Sequence, residues 1–518
     1  MGIIDDTIDV IGKIIKEEDS NIKQILLAMF SAFTNDPQNI RILAPSSEGK
    51  TYLVTKVMSL FPEEYVIPLA NVTPKAIKYC LVSGKIVENG GGNWQDYDVA
   101  INPLEEELSK TKDNDKQEKL KKQIQELKES ACDKIDFRNK ILIFLDSQSF
   151  AAFEELKPVL SHDLKNLKSF SVNKSKSGSI EGKKTLSIGF PTVIYCSAKD
   201  EHKKDETNEI NTRFNSISLN SSRKKYRKML ELEAVHSSLP DFIFQEEILN
   251  EEEIKNIQQK IVDHIEELKE NNQILNPFAL GISALFPDDA GSRTRQLKIL
   301  NNNTQMLTLL NQNNRPKLVV DSEKIPIVTR KDIEDACNLT KEPREIQQYK
   351  IKVFNDEIKS AIKQHGHNVS LINHGSVLAL TSSEISQHAK FSQTKDRKKI
   401  HETILKPLVD QGFLDETLDP DNHTRNVYYL PEKYLDADAI IESTLIDISA
   451  LDHSCLESFV NQFIIQRFEK GELTIEDEKE NSIDPRQLIE LVKNRHSTTQ
   501  NRHESDNSDS SIDVEEKK

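Results

Sequence analysis

Eight consecutive residues have the types and the spacing of a loop that binds phosphate groups. They follow the apolar run Ile-Arg-Ile-Leu and are Ala44, Pro45, Ser46, Ser47, Glu48, Gly49, Lys50 and Thr51. This is the pattern of a Walker A loop with alanine in the place of the first glycine. In such a loop backbone N–H groups surround the phosphates, Lys50 neutralises the terminal phosphates, and the Thr51 hydroxyl ligates magnesium. The sequence therefore predicts a site for ATP and Mg²⁺. A polar strand-to-helix turn is the alternative.

A second apolar run ends in a carboxylate, as such a site requires. Residues 140–146 read Lys-Ile-Leu-Ile-Phe-Leu-Asp, and Asp146 would hold the water shell of the magnesium ion, as a Walker B aspartate does. The next residue is Ser147, where an active ATPase normally carries the glutamate that polarises the attacking water. Either Glu154 or Glu155 supplies the base instead, or hydrolysis is slow. A buried strand that simply ends in a loop aspartate is the structural alternative.

Two more groups of polar residues follow in chain order. The apolar run 192–197 ends at Ser197, whose hydroxyl would contact the γ-phosphate or the attacking water. Residues 211–214 read Asn-Thr-Arg-Phe, and they place Arg213 just before another strand-like run.

This order of motifs resembles that of the AAA+ ATPases, and more narrowly of the helicase-type ATPases of phage, plasmid and integrated-element replication proteins and their archaeal relatives. The resemblance covers about 37–315 and lies in APSSEGKTYLV, TPKA, ILIFLD, FEELKPVLSHD, TRFNSISLNSSRKKY, NPFALGISALFP and SRTRQLK. It implies a homo-oligomeric, hexameric ring, with Arg213 as an arginine finger that reaches the neighbouring subunit's nucleotide. It also implies that Arg293 or Arg295 is a sensor-2 arginine. A surface salt bridge is the alternative for each arginine.

The elements that must position these residues are those of an α/β fold. From 37 to 230, β-rich apolar runs alternate with helical stretches, which is typical of a parallel sheet with helices on both faces. Residues 103–132 are charge-dense, begin at Pro103 and predict an inserted helical hairpin. The other expected segments are two N-terminal helices at 1–36, a helical lid at 231–320, C-terminal helices at 436–495 and a disordered acidic, serine-rich tail at 496–518.

A basic hairpin is expected at 161–190. Two β-like runs flank a Ser/Gly/Lys turn, and the segment carries six lysines against two acids in a chain whose net charge is -16. In ring helicases of the kind resembled, a hairpin at this place contacts the backbone of single-stranded DNA in the central pore. The lysines expected to do so are Lys174, Lys176, Lys183 and Lys184. A solvated lysine-rich turn is the alternative.

The segment 325–435 is expected to be a winged helix. It reads as a capped short helix, a turn, a second helix ended by Gly412, and two strands. The second helix opens with three bases that would contact duplex DNA, namely Arg397, Lys398 and Lys399. A winged helix that docks another protein is the alternative.

Composition limits the remaining choices. The 518 residues suggest about three domains, and the acidic net charge excludes a basic field over the whole chain. Five separated cysteines, a signal-free N-terminus and no long apolar stretch predict a cytoplasmic protein without a membrane segment.

The function expected is an ATP-driven DNA helicase or translocase of a replication or mobile-element system. The alternatives are a slowly hydrolysing ATP switch that binds DNA, as an initiator, loader or regulator would, and, less favoured, a small-molecule kinase.

Overall fold

A computed structural model describes most of the chain. The described residues are 2–70, 72–73, 81–88, 93–146, 150–162, 164–174, 180–197, 213–248, 250–286, 292–339, 347–371, 375–389, 400–420, 422–435, 446, 448–451 and 454–493. At 150–151, 171–174, 180–183, 247, 292, 371, 375, 433 and 493 the description covers the backbone alone.

The strands in the described ranges are numbered in chain order. They are β1 (Ile40–Leu43), β2 (Val66–Leu69), β3 (Gly84–Glu88), β4 (Trp94–Asp96), β5 (Cys132–Asp136), β6 (Ile141–Phe144), β7 (Asn166–Lys174), β8 (Ile180–Ile188), β9 (Thr192–Ser197), β10 (Asn215–Ser218), β11 (Lys317–Val320), β12 (Glu323–Pro326), β13 (His367–Leu371), β14 (Gly375–Thr381), β15 (Asp415–Leu418), β16 (Asn426–Tyr429) and β17 (Thr474–Glu476).

The α-helices are numbered in the same way. They are α1 (Ile3–Ile11), α2 (Asp19–Ser31), α3 (Lys50–Met58), α4 (Tyr97–Lys110), α5 (Asn114–Ser130), α6 (Phe150–Leu160), α7 (Arg223–Ser238), α8 (Asp241–Ile248), α9 (Glu251–Glu270), α10 (Ala279–Ala284), α11 (Ser292–Leu310), α12 (Arg330–Leu339), α13 (Gln348–Val353), α14 (Lys359–His365), α15 (Ser382–His388), α16 (Lys406–Asp410), α17 (Ser454–Phe459), α18 (Ile465–Glu469) and α19 (Pro485–Lys493). Short π-helical segments lie at Phe354–Ile358, His401–Leu405 and Val460–Ile464. No described helix combines the length and the apolar character needed to cross a membrane.

A five-stranded parallel sheet forms the centre of the first half of the chain. Its strand order is β10-β1-β9-β6-β2, and every neighbouring pair is parallel. Four of the strands, β1, β6, β9 and β10, are buried along their whole length, as expected when both faces of a sheet are covered. The predicted α/β class with a parallel sheet is confirmed. Because parallel strands end at the same edge, the residues that follow β1, β6 and β9 come together there.

The two predicted N-terminal helices are present as α1 and α2. Ile22, Ile25 and Phe30 of α2 are fully buried. The helix is tied to the central sheet by the Thr192 hydroxyl, which donates to the Ala28 carbonyl at 3.1 Å. The N-terminal segment is therefore part of the core around the sheet.

A second sheet, which the sequence analysis did not predict as such, carries the predicted hairpin. Its order is β4-β3-β5-β8-β7, and β5 pairs with β8 in parallel while the other pairs are antiparallel. The strands β7 and β8 pair over nine positions, so the hairpin within 161–190 is present. The short strands β3, β4 and β5 contain many polar residues, and for that reason they show no clear apolar alternation in the sequence.

The inserted helices begin earlier than predicted. The two helices of the hairpin are α4 and α5, and they are linked by ion pairs such as Lys116–Glu107 at 2.7 Å. Pro103 lies inside α4, which starts at Tyr97, directly after β4, so the start predicted from the proline was wrong. Residue 132, the expected end of the insertion, is the first residue of β5.

The described part of 347–435, called the C-terminal module below, has helical segments and a four-stranded antiparallel sheet. The sheet order is β13-β14-β16-β15. The predicted capped helix is α15, where the Thr381 hydroxyl accepts from the Glu384 N–H and the Glu384 carboxylate accepts from the Thr381 N–H. The two predicted strands after Gly412 pair as β15 and β16. The strand β13, which pairs with β14, was not expected.

The chain divides into two compact units that differ from the predicted segments. The first unit is Met1–Asn272 with Lys341–Ser443, and the second is Gln273–Thr340 with Thr444–Lys518. The expected lid at 231–320 is divided between them, since α8 and α9 belong to the first unit and α10 and α11 to the second. In the second unit β11 pairs with β17, which joins two distant parts of the sequence.

Candidate functional site

The loop 44–51 runs from the carboxyl end of β1 into the first turn of α3. Ser47 and Gly49 have positive φ angles of 69° and 86°. Nothing lies within 4 Å of the position where a Cβ would stand on Gly49, so glycine is favoured there by its positive φ and not by a lack of space. Ala44 is not among the described residues with a positive φ. The first position of the loop therefore has no conformational need for glycine, which explains how alanine is accommodated.

Lys50 is folded back over the start of the loop. Its Nζ donates to the Ala44 carbonyl at 2.6 Å and to the Pro45 carbonyl at 2.7 Å. Burial lowers the pKa of Lys50, while Cys196 and Glu48 oppose this shift. The lysine is thus held over the loop by two backbone carbonyls.

The helix that follows the loop begins without a side-chain cap. Gly49 is the N-cap of α3, and no side chain accepts a hydrogen bond there. The first N–H groups of a helix have no intrahelical partner, and they favour anions. Together with the Lys50 ammonium, these N–H groups make the loop suited to bind an anionic group such as a phosphate.

The acidic strand brings Asp146 to the same edge of the sheet. Thr51 Oγ1 lies 3.5 Å from the Leu145 carbonyl oxygen, so the first turn of α3 stands beside the end of β6. Burial raises the pKa of the Cys196 thiol to about 12, and the shift is opposed by Lys50 and reinforced by Asp146. Lys50 and Asp146 therefore both lie close enough to Cys196 to act on its thiol, and Asp146 is exposed to solvent.

Ser197 lies next to the loop. It is the last residue of β9, its carbonyl accepts from the Ala44 N–H at 3.2 Å, and β9 stands between β1 and β6. The residue is buried. The structure thus brings the phosphate-type loop, Asp146 and Ser197 to the same edge of the sheet.

Arg213 lies just before β10, at a partly buried position. Its Nη1 donates to the Lys157 carbonyl of α6 at 3.1 Å. On the same helix Glu154 lies 3.7 Å from the Lys157 ammonium. Ser147, where the usual glutamate is replaced, falls outside the described residues.

Tyr226 and Lys225 of α7, which the sequence analysis missed, hold the loop through Glu48. The Tyr226 hydroxyl donates to the two carboxylate oxygens of Glu48 at 2.9 and 3.0 Å, and Lys225 Nζ lies 3.5 Å from the Glu48 carbonyl. Lys225 also pairs with Glu18 at 2.7 Å, and both side chains are nearly fully buried. In the sequence Lys225 is one of three consecutive bases, so only its position in the fold distinguishes it from its neighbours.

A cavity of about 390 Å³ opens beside the loop. It lies between the start of α3, the segment after α1, and the helices α7 and α8. Ile14, Ile15 and Leu53 give it apolar walls, Tyr52 gives an aromatic ring, and Glu18 and Lys225 give it charged groups. Its size falls within the usual range for small-molecule sites, and its lining combines apolar walls with a few polar groups, as such sites do.

The two arginines predicted to sense nucleotide lie in the second unit. Arg293 is in the first turn of α11, where Nη1 donates to the Gln296 side chain at 3.0 Å, and Arg295 is exposed. The loop 44–51 belongs to the first unit.

The basic hairpin is only partly described. Lys176 lies outside the described residues, and for Lys174 and Lys183 the backbone alone is described, in β7 and β8. Lys184 is exposed, and its Nζ donates to the Glu129 carbonyl at the end of α5 at 3.0 Å. Opposite Lys184 on β7 is Phe170, an aromatic side chain that is 73% exposed. The three predicted DNA-binding bases of the C-terminal module, residues 397–399, also lie outside the described residues.

Among the described residues, no group of three or more His, Cys, Asp or Glu side chains is arranged to hold a metal ion. Thr51 and Asp146 have oxygen atoms of the kind that magnesium binds, and this ion usually takes its remaining ligands from phosphate oxygens and water. No protein-family model matches this chain, and a search of curated proteins found no relative.

Proposed function

We propose that the chain binds ATP with Mg²⁺ at the loop 44–51 and hydrolyses it. One observation carries this proposal. Lys50 and the uncapped start of α3 lie at one edge of the parallel sheet, beside the cavity of about 390 Å³. Asp146, which follows β6, and Ser197, the last residue of β9, lie at the same edge. The phosphates would be held by the N–H groups of the loop and by Lys50, and the base and ribose would fill the cavity.

The roles proposed for the other residues are those that the sequence motifs predict. Thr51 and Asp146 would hold the magnesium ion, whose charge stabilises the transferred phosphoryl group. Ser197 would contact the γ-phosphate or the attacking water. Arg213 would act on the nucleotide of a neighbouring copy in a ring, and Arg293 or Arg295 would sense the nucleotide. The strand order of the sheet, with β9 between the loop strand and the acidic strand, supports assignment to the AAA+ class.

We further propose that hydrolysis drives movement on DNA. The two-stranded hairpin β7–β8 with its lysines supports contact with single-stranded DNA, because lysines and exposed aromatic rings bind it without sequence preference. The helix-and-hairpin order of the C-terminal module supports a winged helix with duplex DNA as its ligand. The second candidate is a slow ATP switch, which the serine at position 147 favours.

The test is nucleotide binding and turnover by two variants. Lys50→Ala should lose ATP binding, because the loop loses its only lysine. Asp146→Asn should still bind nucleotide and lose magnesium-dependent turnover. The matched control is Lys255→Ala, which changes an exposed lysine on α9 and should leave ATP binding and turnover unchanged. Unaltered ATP binding by Lys50→Ala would contradict the proposal.

The effect of single-stranded DNA on ATP turnover separates the two candidate functions. Turnover that the DNA stimulates favours the helicase, and slow turnover that the DNA leaves unchanged favours the switch.

A further inference from the structure

One tyrosine, Tyr226, holds the side chain of Glu48 in the phosphate-type loop from the side of α7. Glu48 directly precedes Gly49 and Lys50, and both of its carboxylate oxygens accept from the Tyr226 hydroxyl, at 2.9 and 3.0 Å. A hydrogen bond to a charged group is among the stronger ones in proteins. This contact therefore determines where the Glu48 carboxylate points.

The direction of that carboxylate matters because Glu48 and a bound phosphate have the same charge. A carboxylate that turned into the loop would repel the phosphates. Burial raises the pKa of Tyr226 to about 12, an effect that a hydrogen bond with Ser221 opposes and Glu48 reinforces. The phenol is thus protonated at neutral pH and remains a donor to Glu48.

The same tyrosine contacts the C-terminal module. Lys352 at the end of α13 has its Nζ 5.8 Å from the centre of the Tyr226 ring, within the range of a cation–π interaction. Lys352 also donates to the Ser221 carbonyl at 3.0 Å. At the start of α13 the Gln348 N–H donates to the Ser218 hydroxyl at 2.8 Å, at the end of β10. The first helix of the module is therefore attached to the strand next to β1 and to the residue that holds the loop.

We propose that Tyr226 is a positioning residue for the phosphate loop, and that through Lys352 it couples nucleotide binding at the loop to the C-terminal module. The inference rests on the proposed function of the loop. Lys352 keeps the ring in place, the hydroxyl keeps Glu48 away from the phosphates, and the loop is ready for nucleotide. Coupling of this kind is reciprocal, so nucleotide in turn stabilises the contact between α13 and α7.

The test measures the affinity of the full chain for a fluorescent ATP analogue with Mg²⁺. Tyr226→Phe keeps the ring and removes the hydrogen bond to Glu48, and we expect affinity to fall roughly tenfold. Lys352→Met should weaken binding about fivefold, at the low end of measured coupling. In the Tyr226→Phe background Lys352→Met should have no further effect, because the lysine acts through the hydroxyl.

Two matched controls separate this role from general stability. Tyr65→Phe also removes a hydroxyl that bonds a side chain, but that side chain is Lys269, at 2.6 Å, which is not part of the loop 44–51. Lys363→Met removes a lysine of α14 that donates to the carbonyl of Leu435, within the module. Both controls should bind the analogue as the unaltered chain does.

A second measurement follows the reciprocal effect by hydrogen exchange. Nucleotide should slow amide exchange in residues 348–365 of the unaltered chain and leave exchange there unchanged in Tyr226→Phe. Equal slowing in both proteins would overturn the coupling, as would a Lys352→Met effect of the same size in both backgrounds. Unaltered affinity in Tyr226→Phe would overturn the positioning role.

Failure of the inference can be told apart from failure of the proposed function. If the unaltered chain binds the analogue and Lys50→Ala does not, the nucleotide site stands, and the Tyr226 and Lys352 variants decide the inference. If the unaltered chain shows no binding that depends on Lys50, both proposals fall together.

Discussion

At the scale of single residues, the loop depends on one backbone conformation. Gly49 has a φ of 86°, a value that residues with a Cβ adopt at a cost of about 1–2 kcal/mol. A Cβ at this position would meet no atom within 4 Å, so the cost would come from the backbone and not from a clash. Gly471, in the second unit, has a φ of 71° and is equally open. The two glycines therefore differ in location and not in strain.

This pair allows strain to be separated from function. Gly49→Ala and Gly471→Ala should lower the free energy of unfolding by similar amounts, about 1–2 kcal/mol each. Only Gly49→Ala should weaken nucleotide binding, because the strained loop relaxes away from the conformation that directs its N–H groups. Urea unfolding and ATP-analogue titration measure the two effects. Equal loss of nucleotide affinity in both variants would show that the loop conformation is not what binds the phosphates.

At the scale of elements, a buried ion pair joins α7 to the segment before α2. Lys225 and Glu18 lie 2.7 Å apart, and their side chains are 4% and 2% exposed. Burial raises the pKa of Glu18, and Lys225 opposes that rise. The Glu18 carboxylate also accepts from the Asn220 N–H at 3.0 Å. The pair therefore positions α7 and its tyrosine relative to the N-terminal helices.

Removing the cation from this pair should be costly. Lys225→Met leaves a carboxylate buried without its partner, which should lower the free energy of unfolding by about 3–5 kcal/mol. The control is Lys13→Met, which breaks the half-exposed pair of Lys13 with Glu253 and should cost no more than about 1 kcal/mol. The double variant Glu18→Gln with Lys225→Met should recover part of the loss.

The pH dependence of the Lys225→Met variant follows from the pKa of Glu18. Without the cation this pKa rises further above its unfolded value, and a raised carboxyl pKa means that folding is favoured at low pH and loses stability as pH rises through the folded pKa. The free energy of unfolding that Lys225→Met loses relative to the unaltered chain should therefore be smaller near pH 5 than near pH 8. A deficit that is the same at both pH values would show that Glu18 stays ionised in the variant's folded state over this range, and it would contradict the raised pKa.

At the scale of the whole molecule, the C-terminal module has a core of its own. Seventeen buried residues between Ile351 and Tyr434 form one cluster. Within it the rings of Phe354, Phe413 and Tyr434 contact one another, with centroids 5.5 to 5.9 Å apart. Residues 341–443 group with the first unit, whereas α12, which precedes them, belongs to the second.

A fragment that follows this division should fold by itself. Residues 341–443 should unfold cooperatively in urea, because the buried cluster lies wholly inside them. The sequence-based segment 325–435 includes α12, whose buried residues Ile333 and Ala336 would be exposed once the rest of the second unit is removed. It should therefore associate or aggregate more readily, which light scattering would detect. A non-cooperative transition for 341–443 would show that the module depends on its contacts with β10 and α7.

The sequence by itself determined the features that depend on neighbouring residues. The loop, its glycine and the strand before it lie within a dozen residues, and apolar periodicity extends over single elements, so the parallel sheet, the N-terminal helices, the hairpin and the capped helix at Thr381 were all predicted. The same reasoning explains the wrong start of the inserted helices, since a proline is most often at the first turn and here lies inside α4.

Only the tertiary structure decided which distant residues meet. Tyr226 and Glu48 are separated by 178 positions, and no local pattern marks the tyrosine, Lys225 or Glu18 as neighbours of the loop. The division into units likewise depends on pairings such as Leu318 with Ile475, which join segments far apart in the chain. The physical reason is that packing and ion pairing act across space, whereas periodicity and motif spacing record only what lies nearby along the chain.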